Sequence, residues 1–362
     1  MGLLLLCSMT DVAWMGMTIA RLLISALAVI ALLSIQPRAA EACQCVSGVY
    51  STCSLLTSAA SVFEATVESI RRAPSPAPIP GLPRAAASMT TFSNDVLFVT
   101  LRDVKAWRGA ASTTVMTAPD EASCGYTFQI GMRYLIVADT DGGRLVVNRC
   151  GLTRPASDAQ GLTSYLRLAG VNATRPPISV WGEVTRAARW IDFRREYTAV
   201  PDAQVSLEGP TRHSIRTGAD GRFEARDLLP GRYTATVTAP ATLPLGPIRP
   251  WQFELGTTAD SACLELDFLA PIQSGISGVV VNDRGQPQAA VFVTLTLPDQ
   301  RDLSRGAAGG GETTDAQGRY EFKDLPPGRY AIGIGESRSL ANATVVSLRF
   351  GERLVVKPLV VR

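Results

Sequence analysis

The side chains best able to do chemistry in this chain are its cysteines and its one histidine, since cysteine occurs seven times and histidine once. A single imidazole rules out a multi-histidine zinc site built within one chain, because each such site takes several imidazoles. His213 stands in Pro210-Thr211-Arg212-His213-Ser214, between strand-like runs. A Ser-His-Asp base would need a nucleophile elbow, which the sequence lacks, so His213 reads as a solvated turn residue. Carboxylate pairs such as Asp220 and Glu224 lie near hairpins and read as solvated. Asp139-Thr140-Asp141-Gly142-Gly143 resembles a calcium loop in composition, but Asp-Gly between alternating apolar runs marks a hairpin turn. The expectation is a chain that is not an enzyme, has no cofactor and has no intrinsic metal.

The cysteines point instead to disulfides. Residues 22–35 are almost wholly apolar and follow Arg21; Gln36-Pro37-Arg38 breaks the run, and Ala40-Glu41-Ala42 offers small residues at the minus-three and minus-one positions. That is the pattern of a cleaved export signal over 1–42, with Met17 as an alternative start. An uncleaved anchor is the other reading. The apolar run is short of the roughly 20 residues that span a bilayer, although the apolar stretch from Val12 to Ala20 extends it upstream. Cleavage leaves Cys43 first. Lipidation of Cys43 is disfavoured by Ala40, where such signals carry leucine, and by Glu41. The chain is therefore read as secreted or extracytoplasmic (periplasm or cell surface), touching membrane only if the signal is uncleaved or Cys43 is lipidated.

The mature cysteines are then Cys43, Cys45, Cys53, Cys124, Cys150 and Cys263. An even count in an exported chain implies disulfides, with fifteen possible connectivities. Cys43-Gln44-Cys45 has one intervening residue rather than the two to four of a zinc knuckle.

These residues need a scaffold. The chain has 362 residues, 46% hydrophobic and 19% charged, which indicates a globular protein of two or three domains. Net charge is +3 without a dense basic stripe, so a nucleic-acid partner is set aside. Residues 43–170 form a first unit. A short helix is expected at 54–60. Strands are expected at 61–70, 95–106, 112–117, 126–130, 134–138 and 145–148, with a second helix over 157–168. The proline-rich stretch from Ala73 to Gly81 reads as an extended loop, since proline cannot donate to a central sheet. The rest of the chain is duplicated. Thr217 to Tyr233 (TGADGRFEARDLLPGRY) and Thr314 to Tyr330 (TDAQGRYEFKDLPPGRY) agree at most positions, which marks repeated structural units over 175–271 and 274–362. Short alternating strands with Asp-Gly and Pro-Gly turns indicate β-sandwiches, with strands at 178–184, 201–207, 276–282 and 287–297. Phe223, Leu228 and Tyr233, and their counterparts Tyr320, Leu325 and Tyr330, are expected in the cores.

The first unit resembles the netrin-like module and, within it, the inhibitory domain of the tissue inhibitors of metalloproteinases. The resemblance rests on Cys43-Gln44-Cys45-Val46, the VFEATV strand at 62–67, Lys105-Ala106-Trp107-Arg108-Gly109, Cys124-Gly125-Tyr126-Thr127-Phe128, the run from Gly131 to Ala138, and Cys150. It implies an OB-like five-stranded barrel with bridges Cys43–Cys124 and Cys45–Cys150. It supplies no partner for Cys53 inside the unit. Cys263 is the one cysteine left, so these two are either bridged across units or free. It also implies that the free amine and carbonyl of Cys43 chelate the zinc of a target metalloproteinase, with Gln44, Cys45 and Val46 contacting the protease. Gln44 departs from the small hydroxyl residue the family carries there. The two repeats resemble the carboxypeptidase regulatory-like domain, a transthyretin-like sandwich, through DGRFEARDLLPGRY and QGRYEFKDLPPGRY. The expected architecture is thus mainly β, an OB-like barrel followed by two tandem transthyretin-like β-sandwiches. The function is non-enzymatic binding. One form is metalloproteinase inhibition through Cys43. The alternative is surface scaffolding, adhesion or binding of a cell-surface glycan by the sandwiches, with Trp181, Trp190 and Trp251 as candidate contacts.

Overall fold

A computed structural model of the chain describes residues 45, 52–76, 95–169, 176–191, 194–298, 310–335 and 343–361. Cys43, Gln44 and Val46, the signal over 1–42 and most of the proline-rich stretch lie outside them. Among the described residues no helix is long and apolar enough to cross a membrane.

The first unit holds helices α1 (Thr52–Ser58) and α2 (Gln160–Ala169) and strands β1 (Ser61–Pro74), β2 (Asp95–Arg108), β3 (Thr114–Thr117), β4 (Arg133–Asp141), β5 (Arg144–Val146) and β6 (Arg154–Pro155). The pairings run β1–β2–β3–β5–β4, and β4 returns to β1, so five strands close into a ring with β6 added beside β4. The apolar patterning explains the closure. Alternate residues Phe63, Ala65, Val67, Tyr134, Ile136 and Ala138 fill one cluster inside the ring. Their neighbours Val62 and Leu135 join a second cluster with the helices outside it. Both faces of β1 and β4 are therefore apolar, as a sheet covered on both sides requires.

The structure departs from the sequence reading at several points. Residues 126–130 form no strand: Thr117 Oγ1 accepts the Tyr126 N–H at 2.8 Å, and the Tyr134 hydroxyl accepts the Gln129 N–H at 2.9 Å. Side-chain oxygens thus take up backbone donors that a ladder would otherwise use. The first strand runs on through Pro74, opposite Asp95. Only β2 flanks that end, because β4 pairs with β1 over Ser61 to Thr66 alone, and an edge tolerates proline. The helices begin earlier and later than expected, at Thr52 and Gln160. Asp141 and Arg144 pair across Gly142 and Gly143, whose φ angles are +56° and +81°. This is a two-residue hairpin turn that needs glycine at both central positions.

The second unit contains β7 (Ser179–Ile191), β8 (Arg194–Ala199), β9 (Gln204–Glu208), β10 (Arg212–Arg216), β11 (Arg222–Ala225), β12 (Gly231–Thr238), β13 (Trp251–Leu255), β14 (Cys263–Glu265) and β15 (Phe268–Ala270). The third contains β16 (Gly275–Asn282), β17 (Phe292–Thr296), β18 (Gly311–Thr313), β19 (Arg319–Lys323), β20 (Gly328–Ile334), β21 (Thr344–Leu348), β22 (Arg353–Val355) and β23 (Leu359–Val361). Apart from β8, the two match strand for strand. Sheet β10-β9-β12-β13 corresponds to β18-β17-β20-β21, and β11-β7-β14 with β15 corresponds to β19-β16-β22 with β23. Phe223, Leu228 and Tyr233 are buried in one core and Tyr320, Leu325 and Tyr330 in the other. Gly221 and Gly318 turn at φ +75° and +70°, and a Cβ there would meet the carbonyl oxygens of Val184 and Val280 at 2.6 and 2.7 Å. His213 lies on β10 opposite Leu207 and is half-buried, not in a solvated turn. The clearest difference between the copies is β7, which is 13 residues long against 8 for β16 and carries β8 as an extra hairpin partner.

Candidate functional site

His213, Asp220 and Glu224, weighed as catalytic candidates and read as solvated, each have a partner in the structure. The imidazole Nε2 of His213 lies 3.1 Å from Thr211 Oγ1, which in turn lies 2.9 Å from the Tyr233 hydroxyl. That hydroxyl donates to the Leu229 carbonyl. This hydroxyl chain closes a sandwich corner. Asp220 accepts the Arg222 N–H across its turn, and Glu224 is paired with Arg226 at 2.8 Å. No cluster of three metal-ligating side chains occurs among the described residues.

The groups the chain does bring together lie at its two junctions. At the first, Cys53 on α1 is bonded to Cys263 on β14, with Cα atoms 5.1 Å apart and 210 residues between them. Cys45 is bonded to Cys150, and Cys124 is also disulfide-bonded; its expected partner Cys43 lies outside the described residues. Around the Cys53–Cys263 bridge a single hydrophobic cluster crosses from the first unit into the second: Leu56, Ala59, Leu162 and Tyr165 pack with Trp181 of β7. The Tyr165 and Trp181 rings stack with centroids 5.3 Å apart. The Tyr165 hydroxyl points at Cys53 Sγ at 3.1 Å, and burial pushes its pKa up to about 12. Gly161 makes this approach possible, since a Cβ there would sit 2.3 Å from Trp181 Cδ1. A polar rim completes the contact. Thr52 Oγ1 accepts the Glu265 N–H at 2.8 Å, and Arg154 pairs with Glu265 at 2.7 Å.

Beside this seam lies a cleft of about 600 Å³ lined by Arg154, Glu183, Arg222, Glu224, Glu265 and Asp267, among others. Asp267 accepts the Glu183 N–H at 3.2 Å. Although its side chain reaches solvent at the mouth of the cleft, desolvation there, with Glu265 beside it, pushes its pKa up to about 6.

At the second junction, the extension of β7 reaches the third unit. Trp190 packs against the third core and donates from Nε1 to the Tyr330 hydroxyl at 3.1 Å. Arg195 pairs with Asp324 at 3.2 Å, and the other carboxylate oxygen of Asp324 accepts the Ile272 N–H at 2.8 Å. Arg186 lies over the Phe350 ring at 4.3 Å. Trp181 and Trp190 are thus junction residues, while Trp251 remains half exposed at a sheet edge. Sequence reasoning noticed both tryptophans but had no signal for their partners. The missing cue was that Trp181 falls on the outward face of its strand.

Residues 275–356 match the model of the carboxypeptidase regulatory-like domain. A carboxypeptidase regulatory-like domain forms the third unit. The second unit shares its strand arrangement. No curated protein matches the chain. Among solved structures, the TIE protein of Bacillus anthracis is 13% identical over 83% of this chain and 52% of its own, with a TM-score of 0.28. The chain therefore spans about half the length of that protein. The minor pilin GBS52 of Streptococcus agalactiae is 14% identical over 49% of this chain and 93% of its own, at a TM-score of 0.20. BcpA, the major pilin subunit of Bacillus cereus, is 9% identical over 51% and 99%, at 0.19. Likenesses this loose carry no argument about what the chain does. The netrin-like reading of the first unit finds no counterpart in these comparisons.

Two outcomes follow from the first junction. Replacing Trp181 with alanine removes a buried indole and leaves a cavity, which should cost about 3–5 kcal/mol, read as a lowered denaturation midpoint in the oxidised protein. An unchanged midpoint would show that the seam contributes nothing to folding. Asp267 has a folded pKa above its unfolded value. Its favourable contribution is therefore present in full below about pH 4 and is lost as pH rises through about 6. Asp267→Asn should flatten that stretch of the stability–pH curve and raise stability at neutral pH relative to the parent. A parallel pair of curves contradicts the assignment.

Proposed function

We propose that the chain is an extracytoplasmic, non-catalytic scaffold that joins three β units and displays their surfaces for binding. The observation that carries this reading is the seam at Cys53–Cys263, where a disulfide and one hydrophobic cluster run through both the first unit and the first sandwich. Flexibly linked modules need no such shared core; a support that must hold its units in fixed relation does. The disulfides suit an oxidising compartment outside the cytoplasm. The half-buried Trp190–Tyr330 and Arg195–Asp324 contacts extend the same construction to the third unit.

A second reading is inhibition of a zinc metalloproteinase through Cys43. It is supported by the Cys45–Cys150 bridge, by the engagement of Cys124 in a disulfide, and by the ring order of the first unit's strands, which suits an OB-like barrel. In it, Cys43 supplies the chelating amine and Gln44, Cys45 and Val46 the protease contacts.

One experiment separates the two. The mature protein and a form with one extra N-terminal alanine are compared against surface glycans, extracellular proteins and a panel of secreted zinc metalloproteinases. The scaffold reading expects saturable binding to a surface component that the added alanine leaves unchanged, with no protease inhibited. Inhibition that the alanine abolishes would replace scaffolding with the inhibitor reading.

A further inference from the structure

The cleft beside the first junction has a counterpart in the third unit that lacks its charges. There a hollow of about 920 Å³ lies over Ser277, Gly278 and Val279, as the cleft lies over Trp181, Gly182 and Glu183. Strand register fixes the correspondence. Glu183 pairs with Arg222 where Val279 pairs with Arg319, and Glu265 pairs with Trp181 where Val355 pairs with Ser277. The N–H of the next residue, Leu266 or Val356, bonds back to the carbonyl of Trp181 or Ser277, which makes Asp267 the counterpart of Lys357. The concavity therefore belongs to the sandwich, but its carboxylates do not. Glu183, Glu265 and Asp267 stand where the other copy has two valines and a lysine.

Those carboxylates are in excess. Six line the cleft against three arginines. Glu265 and Glu224 are held by Arg154 and Arg226, but no ion pair joins Glu183 or Asp267 to a base among the described residues. Desolvation, and then repulsion from Glu265, already works against the charge on Asp267, and a cation placed there would relieve both. A donor is left wanting as well. Trp181 lines the cleft and is 3% exposed, and its Nε1 has no hydrogen-bond partner among the described residues. Gly161 lines the cleft too, and a Cβ on it would stand 2.9 Å from that Nε1, so the glycine leaves the N–H uncapped on that side. Apart from Trp181, Ile215 and Phe223, the walls are polar side chains or glycine, and the volume of about 600 Å³ suits a small-molecule site.

We propose that this cleft binds an amino sugar, a saccharide bearing a free amine. Its ammonium sits between Glu183 and Asp267, and its hydroxyls donate to the neighbouring carboxylates while accepting from Arg216 and the Trp181 N–H. A hydroxyl both donates and accepts, which is what walls of mixed carboxylates, guanidinium groups and an unpaired indole N–H require. A lysine side chain would bring the same charge, but its aliphatic stem takes apolar cover that these walls do not supply. The chain as a whole carries a net charge of +3, so its long-range field does not draw cations, and recognition of the amine is local to the cleft. The site deepens the scaffold reading by giving one of the displayed surfaces a ligand.

The test is isothermal titration calorimetry of the oxidised mature chain with a glucosamine trimer, its fully N-acetylated form and trilysine. The parent should bind the glucosamine trimer saturably at one site per chain, and the other two roughly tenfold more weakly or worse. The double variant Glu183→Gln/Asp267→Asn should lose roughly tenfold or more of that affinity with its far-UV circular dichroism unchanged, and Asp267→Asn alone serves as the comparison if the double variant does not fold. Glu208→Gln, at the far end of the neighbouring sheet opposite Arg212, should bind as the parent does. A parent that does not bind the glucosamine trimer overturns the inference. So does equal affinity for the N-acetylated trimer or for trilysine, or binding indifferent to the cleft variants. None of these results touches the scaffold reading, which fails only if no surface component binds any of the three units.

Discussion

The structure depends on the covering of one indole. Trp181 stands on the outward side of β7, where a sandwich strand ordinarily meets water, and it is 3% exposed. Fully burying a large side chain is worth a few kcal/mol, so a covering layer is strongly favoured. Helix α2 supplies it with Tyr165, and Gly161 removes the Cβ that would hold the helix away. The Trp181 Nε1 finds no hydrogen-bond partner among the described residues. That unpaired donor costs free energy, offset by the apolar contact of the cluster around it.

The Cys53–Cys263 bridge then fixes what the indole attracts. Its two cysteines are fully buried within the same cluster. A bridge closing so long a loop stabilises mainly by limiting the unfolded chain, by about 2–4 kcal/mol. The extended β7 ties both junctions to one strand, because Trp181 near its start faces the first unit and Trp190 near its end faces the third core. Any displacement of β7 is felt at both ends of the second unit.

Much of this fold was legible in the sequence, and the parts that were not share a cause. The repeated motif placed Phe223, Leu228, Tyr233 and their counterparts in the cores because its spacing is local. The hairpin at Asp141 to Arg144 was legible because its glycines determine the turn. The stretch 126–130 looked like a strand by residue type, yet Thr117 and the Tyr134 hydroxyl take its backbone donors. Such a competition depends on residues brought near by the fold. His213 was misplaced for a related reason, since the polar residues around it belong to a short strand at a sheet edge. The junction partners of Trp181, Trp190 and Asp324 lie in other units, and no periodicity within one strand reports them. Cysteine arithmetic alone left Cys53 and Cys263 either bridged or free, although both belong to the same seam.

The first unit and the first sandwich share a core and should therefore unfold together. Differential scanning calorimetry of the oxidised mature protein measures this directly, with the Cys53→Ala/Cys263→Ala double variant as comparison. The account predicts that the parent unfolds these two units in a single transition whose calorimetric and van't Hoff enthalpies agree, and that the double variant shows that transition at lower temperature or split in two. Separate transitions for the two units in the oxidised parent would contradict it.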